Sequence, residues 1–219
     1  MNRLITFEGV EGCGKTTQIR MAGEYLAAGG VPFIITEEPG GTPLGKKIRE
    51  ILLNRWPSPL PISPIAELLL FFAARSQHVG EVILPALKKG KWILCDRFLD
   101  ATLAYQGFGR GLDVDFIKSL HGFSAASLKP ALTILLDVPV DVGLRRAMDR
   151  IAHSEREGAA LEDRFEREEG GVGFHRKIRE GYLSLAKEEP MRYRIIDASR
   201  DIRTVHREVC DRLDAFMER

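Results

Sequence analysis

The chain of 219 residues is 44% hydrophobic, which predicts one domain with a full core over residues 1–219. Its 32 basic and 31 acidic residues nearly cancel, and this balance excludes a global field that recruits nucleic acid or an anionic membrane. No apolar stretch reaches the roughly 18 residues that span a bilayer, and the N-terminal residues lack the features of a signal peptide. Because the three cysteines have neither disulfide nor zinc spacing, we expect free thiols in a cytoplasmic protein.

Short apolar segments rich in β-branched residues recur along the chain and are typical of buried parallel strands. They cover residues 4–7, 31–36, 92–95, 132–138 and 193–196. Helix-like stretches lie between them. Strands that alternate with helices predict an α/β fold with a doubly wound parallel sheet and right-handed crossovers.

Several helix boundaries are also readable. The first predicted helix covers residues 16–28 and ends at a pair of glycines. Thr42 and Ser63 each precede a proline suited to the first helical position, so we expect helices to begin there. The proline-rich residues 56–61 are then a connector. Apolar side chains at helical spacing predict a closing helix over residues 202–216.

The residues after the first predicted strand match the P-loop pattern in full and lead directly into the first predicted helix, which is the context that the pattern requires. Backbone N–H groups of such a loop turn towards phosphates, and the helix N-terminus adds partial positive charge. Lys15 then reaches the β- and γ-phosphates of a nucleotide, and Thr16 offers its hydroxyl to Mg²⁺. The alternative is an ordinary glycine-rich turn. The loop is Gly9, Val10, Glu11, Gly12, Cys13, Gly14, Lys15 and Thr16.

Cys13 lies among these N–H groups. Their partial positive charge should favour its thiolate, so we expect an accessible, reactive thiol that a bound nucleotide protects.

A P-loop alone does not identify the acceptor of the phosphoryl group. A GTPase should carry the sequence Asn-Lys-x-Asp, which this chain lacks. A motor or DNA-processing ATPase is usually larger and has a basic face. The sequence therefore favours a small-molecule kinase. Two alternatives remain open: a kinase for another monophosphate or a nucleoside, and a regulatory switch that hydrolyses nucleotide slowly.

Asp96 and Arg97 follow the predicted strand 92–95, which places both at the carboxyl end of a strand, where ligands bind in open α/β sheets. Asp96 is a candidate to hold Mg²⁺ through water. The planar fork of Arg97 suits phosphate oxygens. The alternative is a surface salt bridge between the two.

Four segments agree in order and spacing with bacterial thymidylate kinases, which the chain resembles over nearly its whole length. They are residues 7–12 (FEGVEG), 38–42 (EPGGT), 70–75 (LFFAAR) and 96–107, with DR at the start and AYQG at the end. The resemblance implies transfer of a phosphoryl group from ATP to deoxythymidine monophosphate (dTMP), a homodimer and a five-stranded parallel sheet in the P-loop kinase fold.

The resemblance also implies roles at the acceptor phosphate and sugar. Glu11 accepts a hydrogen bond from the sugar 3′-OH, although a solvated loop residue is the alternative. Glu38, Pro39 and Arg49 help to hold the acceptor phosphate. For these residues the alternative is a purely structural turn and a solvated arginine.

Phe71 and Arg75 are four residues apart and share one helix face, so they can present a ring and a guanidinium to one ligand. By resemblance they stack on the thymine and bind it by hydrogen bonds. Tyr105 crowds the sugar 2′ position and Thr102 faces the base, whereas Ala101 departs from the usual serine. The full acceptor set is Glu11, Glu38, Pro39, Arg49, Phe71, Arg75, Arg97, Thr102, Tyr105 and Gln106.

Residues 150–173 are dense in charge and end in glycines, as in a mobile lid that brings an arginine onto the transferring phosphoryl group. In the family this arginine comes from the P-loop or the lid, and Gly12 occupies the P-loop position here. Arg150 and Arg156 are therefore the lid candidates beside Lys15 and Arg97, while about half of the lid arginines are expected to be surface charges. The ATP set further includes Thr17 and Arg146.

Overall fold

The computed structural model describes residues 2–54, 61–156, 164–165 and 171–218. Most of the predicted connector 56–61 lies outside these ranges, as do residues 157–163 and 166–170 of the predicted lid. The strands are β1 (Leu4–Glu8), β2 (Phe33–Glu37), β3 (Trp92–Asp96), β4 (Leu132–Asp137) and β5 (Tyr193–Asp197). They form one all-parallel sheet in the order β2-β3-β1-β4-β5, which confirms the predicted α/β fold with its five-stranded sheet.

Helices connect the strands and cover both faces of the sheet. Within the described residues they are α1 (Lys15–Ala28), α2 (Pro43–Leu53), α3 (Pro64–His78), α4 (Leu84–Lys88), α5 (Leu99–Thr102), α6 (Val114–Ser124), α7 (Val140–Arg156), α8 (Gly171–Glu188) and α9 (Ile202–Met217). None of these is both long and apolar enough to cross a membrane.

Two of the predicted helix starts are confirmed by their caps. The Thr42 Oγ1 accepts a hydrogen bond of 2.9 Å from the Gly45 N–H, and the Ser63 Oγ accepts one of 3.3 Å from the Ala66 N–H. Each cap satisfies a backbone donor that has no partner within its helix.

Two π-helical segments were not predicted from the sequence: Val79–Ile83 after α3 and Leu103–Gly109 after α5. The second segment carries Tyr105 and Gln106. Wider helical turns of this kind occur frequently at functional sites.

The sheet brings three strand ends together. Strand β1 is buried along its whole length, because it is the central strand and is covered on both faces. Phe7 pairs in register with Asp96 of β3 and Ile134 of β4. The loops after β1 and β3 therefore emerge side by side at the carboxyl edge of the sheet, where α/β folds bind ligands.

Candidate active site

A cavity of about 660 Å³ opens at this edge and gathers most of the predicted site residues. Among the described residues, Gly9, Val10, Cys13 and Arg156 belong to the predicted set but do not line the cavity. The predicted residues that line it are Glu11, Gly12, Gly14, Lys15, Thr16, Thr17, Glu38, Pro39, Arg49, Phe71, Arg75, Asp96, Arg97, Thr102, Tyr105, Gln106, Arg146 and Arg150.

The P-loop occupies one end of the cavity. Gly12 has a φ of +68°, and a Cβ atom there would lie 2.0 Å from the Gly143 carbonyl oxygen of α7, so only glycine fits. The Lys15 Nζ donates hydrogen bonds to the carbonyl oxygens of Gly9 at 3.1 Å and Val10 at 3.2 Å. The ammonium group thus lies over the loop, where it can meet a phosphate group.

The expectation of an accessible thiol at Cys13 is wrong. Its side chain is 2% exposed, because it points away from the cavity into the core beneath the loop. The Cys13 Sγ lies 3.5 Å from the Lys15 Nζ. The assignment of its backbone N–H group to the ATP site stays a prediction.

Thr16 and Asp96 meet at the start of α1. The Thr16 hydroxyl lies 3.4 Å from the Asp96 Oδ2, and both residues line the cavity. Within the described residues, no group of three or more His, Cys, Asp and Glu side chains could hold a metal ion. Mg²⁺, however, is commonly bound by one or two protein oxygens together with substrate phosphates and water. The pair therefore fits an ion that it shares with a nucleotide.

Arg97 forms a compact polar cluster with Glu11 and Tyr105. The Arg97 Nη2 donates to the Glu11 Oε1 at 2.5 Å and to the Tyr105 hydroxyl at 3.2 Å, and Tyr105 donates to the same Glu11 oxygen at 2.9 Å. Burial alone would raise the pKa of Glu11, but the charges of Arg97 and Lys15 outweigh it and lower the pKa to about 2. Glu11 is therefore an ionised residue of the site rather than a solvated loop residue.

The backbone of Arg97 is unusual. Its φ of +66° lies in the left-handed region, which is rare for a long side chain and is often found at functional sites. The Arg97 Nη1 donates to the Gly9 carbonyl oxygen at 3.1 Å and to the Tyr182 hydroxyl at 3.2 Å. These bonds fix the guanidinium between the P-loop and the other end of the cavity.

Arg75 is 1% exposed and lies between the rings of Phe72 and Phe98, at 5.0 and 5.1 Å from their centroids. Its Nε donates to the Glu38 Oε2 at 2.7 Å, and its Nη2 donates to the Thr102 Oγ1 at 2.9 Å. The buried Nη1 has no hydrogen-bond partner in the part of the chain that the structure describes. A buried donor in a cavity wall is suited to a ligand carbonyl oxygen.

Phe71 also lines the cavity, on the same helix as Arg75, while Phe72 packs in the core. Arg49 lies beside the turn after β2, where its Nη1 donates to the Pro39 carbonyl oxygen at 2.8 Å and to the Glu37 Oε2 at 3.1 Å. Its side chain is 25% exposed, so it is held at the cavity rim rather than fully solvated.

The arginines predicted for the lid and for the ATP site lie in different places. Arg146 and Arg150 line the cavity from α7, and the Arg146 Nη1 donates to the Ala198 carbonyl oxygen at 3.0 Å. Arg156 is exposed at the end of α7 and does not reach the cavity. Arg164 binds Glu67, and Arg167 lies outside the described residues.

Two buried polar residues that bind residues of the cavity wall were not predicted from the sequence. Glu8 receives hydrogen bonds from the Phe98 N–H at 2.8 Å and from the Tyr182 hydroxyl at 2.9 Å. Burial and the nearby charge of Asp100 raise the pKa of Glu8 to about 8. Its signal in the sequence was a carboxylate at the end of an apolar strand.

His78 is a second missed residue. It is 1% exposed, its Nδ1 lies 2.9 Å from the Glu38 Oε1, and its Nε2 lies 2.6 Å from the Thr36 Oγ1. His78 thus holds the carboxylate that binds Arg75.

The chain is similar to known proteins over nearly its whole length. The family model described as Thymidylate kinase matches residues 7–209. A thymidylate kinase of Syntrophus aciditrophicus is 56% identical over 218 residues, which cover 100% of this chain and 97% of the relative. One of Citrifermentans bemidjiense is 53% identical over 203 residues (93% and 87%), and one of Geobacter sulfurreducens is 50% identical over 211 residues (96% of each). The chain belongs to the thymidylate kinase family.

Proposed function

We propose that Lys15, Arg97 and Mg²⁺ bound near Thr16 and Asp96 support the reaction of this enzyme, which phosphorylates dTMP to dTDP with ATP. The observation that carries the assignment of roles is that one cavity has a P-loop at one end and an aromatic ring with a buried guanidinium at the other. The first end suits a triphosphate, and the second suits a base.

At the acceptor end, Phe71 stacks on the thymine and the Arg75 Nη1 donates to its O4 carbonyl oxygen. A guanidinium only donates hydrogen bonds, so this position opposes the amino group of cytosine. Glu11 and Tyr105 contact the sugar, Thr102 and Gln106 lie towards the base, and Arg49 with the Glu38–Pro39 turn faces the acceptor phosphate. Their places around one cavity support this set.

The reaction is an in-line attack by a phosphate oxygen of dTMP on the γ-phosphorus of ATP. A phosphomonoester has a second pKa near about 6, so the nucleophile is mostly a dianion at neutral pH and needs no general base. Lys15 and Arg97 position the phosphates and neutralise charge. Thr16 and Asp96 would hold Mg²⁺, which would supply further charge neutralisation at the phosphates.

A lid over residues 150–173 supplies one further cation. Of the two candidates, Arg150 is supported by its place in the cavity wall and by its charge, which contributes to the lowered pKa of Glu11. Arg156 has no such support. We place Arg146 and Thr17 at the ATP side of the cavity.

We further propose that residues 1–219 form one domain and that the protein is cytoplasmic.

A homodimer is supported by an apolar surface on α3 and α6, which pack on each other. Ile65 and Leu69 of α3 and Phe116 of α6 are each about half exposed (49%, 51% and 51%). Exposed apolar patches of this kind often mark an interface. Sedimentation equilibrium should give a dimer for the native chain and a monomer for Leu69→Glu; a native monomer would contradict the proposal.

The experiment that tests the function is a coupled assay for ADP release with a panel of nucleoside monophosphates. We expect turnover to depend on dTMP and on Mg²⁺. A methyl group in an apolar pocket supplies only about 1–3 kcal/mol, so dUMP should remain a weaker, detectable substrate. ADP release that is independent of any acceptor would identify a regulatory switch instead.

A further inference from the structure

Glu67, in the first turn of α3, is a buried carboxylate that the proposed reaction does not use. Its side chain is 0% exposed. Two arginines and one amide bind it: Gln106 Nε2 donates to the Oε1 at 2.8 Å, Arg110 Nη2 donates to the Oε2 at 3.1 Å, and Arg164 Nη2 donates to the Oε2 at 2.6 Å. An isolated buried carboxylate is strongly unfavourable, and such a full set of donors compensates its desolvation.

The three donors come from two separate parts of the chain. Gln106 lies in the π-helical segment and lines the cavity. Arg110 directly follows that segment. Arg164 lies in the predicted lid, about a hundred residues from Glu67 in the sequence. One carboxylate therefore ties α3, the Gln106 segment and part of the lid region together.

Arg164 carries Phe165 into the cavity wall. The backbone N–H of Arg164 donates to the Leu53 carbonyl oxygen at 3.2 Å, and its guanidinium lies 4.4 Å from the centroid of the Phe165 ring. Phe165 is 6% exposed and lines the cavity. Its ring lies 5.5 Å from that of Tyr105, in an edge-to-face arrangement, and 6.4 Å from that of Phe71. Phe165 is thus packed against two of the residues that we assign to dTMP.

We infer that Glu67 is a positioning residue for the acceptor: through Arg164 it holds Phe165 against Phe71 and Tyr105, and through Gln106 it orients an amide of the same wall. This inference rests on the proposed function for the identity of the acceptor. The Glu67 carboxylate does not line the cavity, so its effect reaches dTMP through Gln106 and Phe165, which do. Burial opposes the ionisation of Glu67, but the hydrogen bonds and charges of Arg110 and Arg164 hold its pKa below the usual value. The Glu67 carboxylate therefore stays charged at neutral pH.

The test compares Glu67→Gln and Arg164→Gln with Asp137→Asn. The control breaks a different carboxylate–arginine pair, in which Arg179 donates to Asp137 at 2.7 Å through both Nε and Nη2, outside the cavity lining. Steady-state assays give KM for dTMP, KM for ATP and kcat for each variant. We expect KM for dTMP to rise about tenfold to hundredfold in Glu67→Gln, since small displacements of positioning groups have effects of this size. KM for ATP should stay unchanged.

Arg164→Gln should raise KM for dTMP in the same direction, and the double variant should add little to Glu67→Gln, because both changes release the same contact. Asp137→Asn should leave KM for dTMP unchanged. If Glu67→Gln does not unfold cooperatively, Arg164→Gln carries the test alone. Equal changes in both KM values, or an unchanged KM for dTMP, would overturn the role of Glu67. A native enzyme without dTMP-dependent turnover would instead overturn the proposed function.

Discussion

The two ends of the cavity are built in different ways. The phosphate end comes from one contiguous loop and the start of α1, and its main cation, Lys15, is held by backbone carbonyl oxygens a few residues away. The acceptor end is assembled from α3, the turn after β2 and the segment after β3. Its main cation, Arg75, is held by the buried carboxylate of Glu38 and by Thr102.

This difference has an energetic consequence. Loss of the Lys15 side chain leaves backbone carbonyl oxygens that water can reach in an open cavity. Loss of Arg75 leaves a buried carboxylate with a partner missing, which destabilises a protein far more. Substitutions at the phosphate end should therefore change catalysis with little effect on folding, whereas those at the acceptor end should change both.

The largest catalytic effect is expected for Lys15→Ala. Removal of one preorganised cation or donor at a site of developing charge lowers kcat by about 10²–10³-fold or more. Thermal unfolding should remain cooperative, since the glycines set the loop geometry. Single-turnover transfer and calorimetry on the same preparation check both halves of this expectation. A variant that no longer unfolds cooperatively would show that Lys15 is a structural residue.

Arg75→Ala should affect both properties. Unpairing a buried carboxylate costs about 3–5 kcal/mol in the free energy of unfolding. The ratio of kcat/KM for dTMP to that for dCMP should fall about tenfold to hundredfold, because a hydrogen bond from a charged group contributes about 1.5–3 kcal/mol.

A second substitution separates the two effects. Glu38→Gln in the Arg75→Ala background should recover part of the stability and none of the base preference. An unchanged thymine-to-cytosine ratio in Arg75→Ala would mean that Arg75 does not read the base.

Phe71→Ala should weaken every acceptor to a similar degree. Stacking on an aromatic ring contributes about 1–3 kcal/mol and tolerates any base. The values of kcat/KM for dTMP, dUMP and dCMP should fall together, with their ratios preserved. A selective loss of dTMP alone would assign base recognition to Phe71 and would contradict the division of roles with Arg75.

The smallest effect concerns Glu8, the buried last residue of β1. Its folded pKa of about 8 exceeds the usual value of 4.5, so the folded state retains a proton that the unfolded state has lost between these pH values. Stability from this group is therefore present at low pH and is lost as the pH rises towards 8. Denaturant unfolding of the native protein and of Glu8→Gln, followed between pH 5 and 8, isolates this slope. The variant should lose it, and parallel curves would contradict the assignment.

The sequence predicted the position of the P-loop between β1 and α1 because a P-loop is contiguous: its glycines, Lys15 and the following helix need no long-range contact to be recognised. The strands and the caps at Thr42 and Ser63 were predictable for the same local reason. The direction of the Cys13 side chain was not, since it depends on packing beneath the loop.

At the acceptor end, the resemblance to the family suggested Phe71 and Arg75, but not what holds them. Glu67 and His78 bind residues that are 39 and 40 positions away, and no local pattern indicates which carboxylates become buried. The π-helical register around Tyr105 likewise depends on tertiary packing. Buried polar networks between distant elements are the part of this site that requires a structure.

The most direct test of the division between the two ends is isothermal titration of Lys15→Ala and Phe71→Ala with dTMP and, separately, with a non-hydrolysable ATP analogue and Mg²⁺. Lys15→Ala should bind dTMP as the native enzyme does and should lose affinity for the analogue. Phe71→Ala should show the reverse. If each variant loses affinity for both ligands to the same extent, the cavity does not have separate donor and acceptor ends.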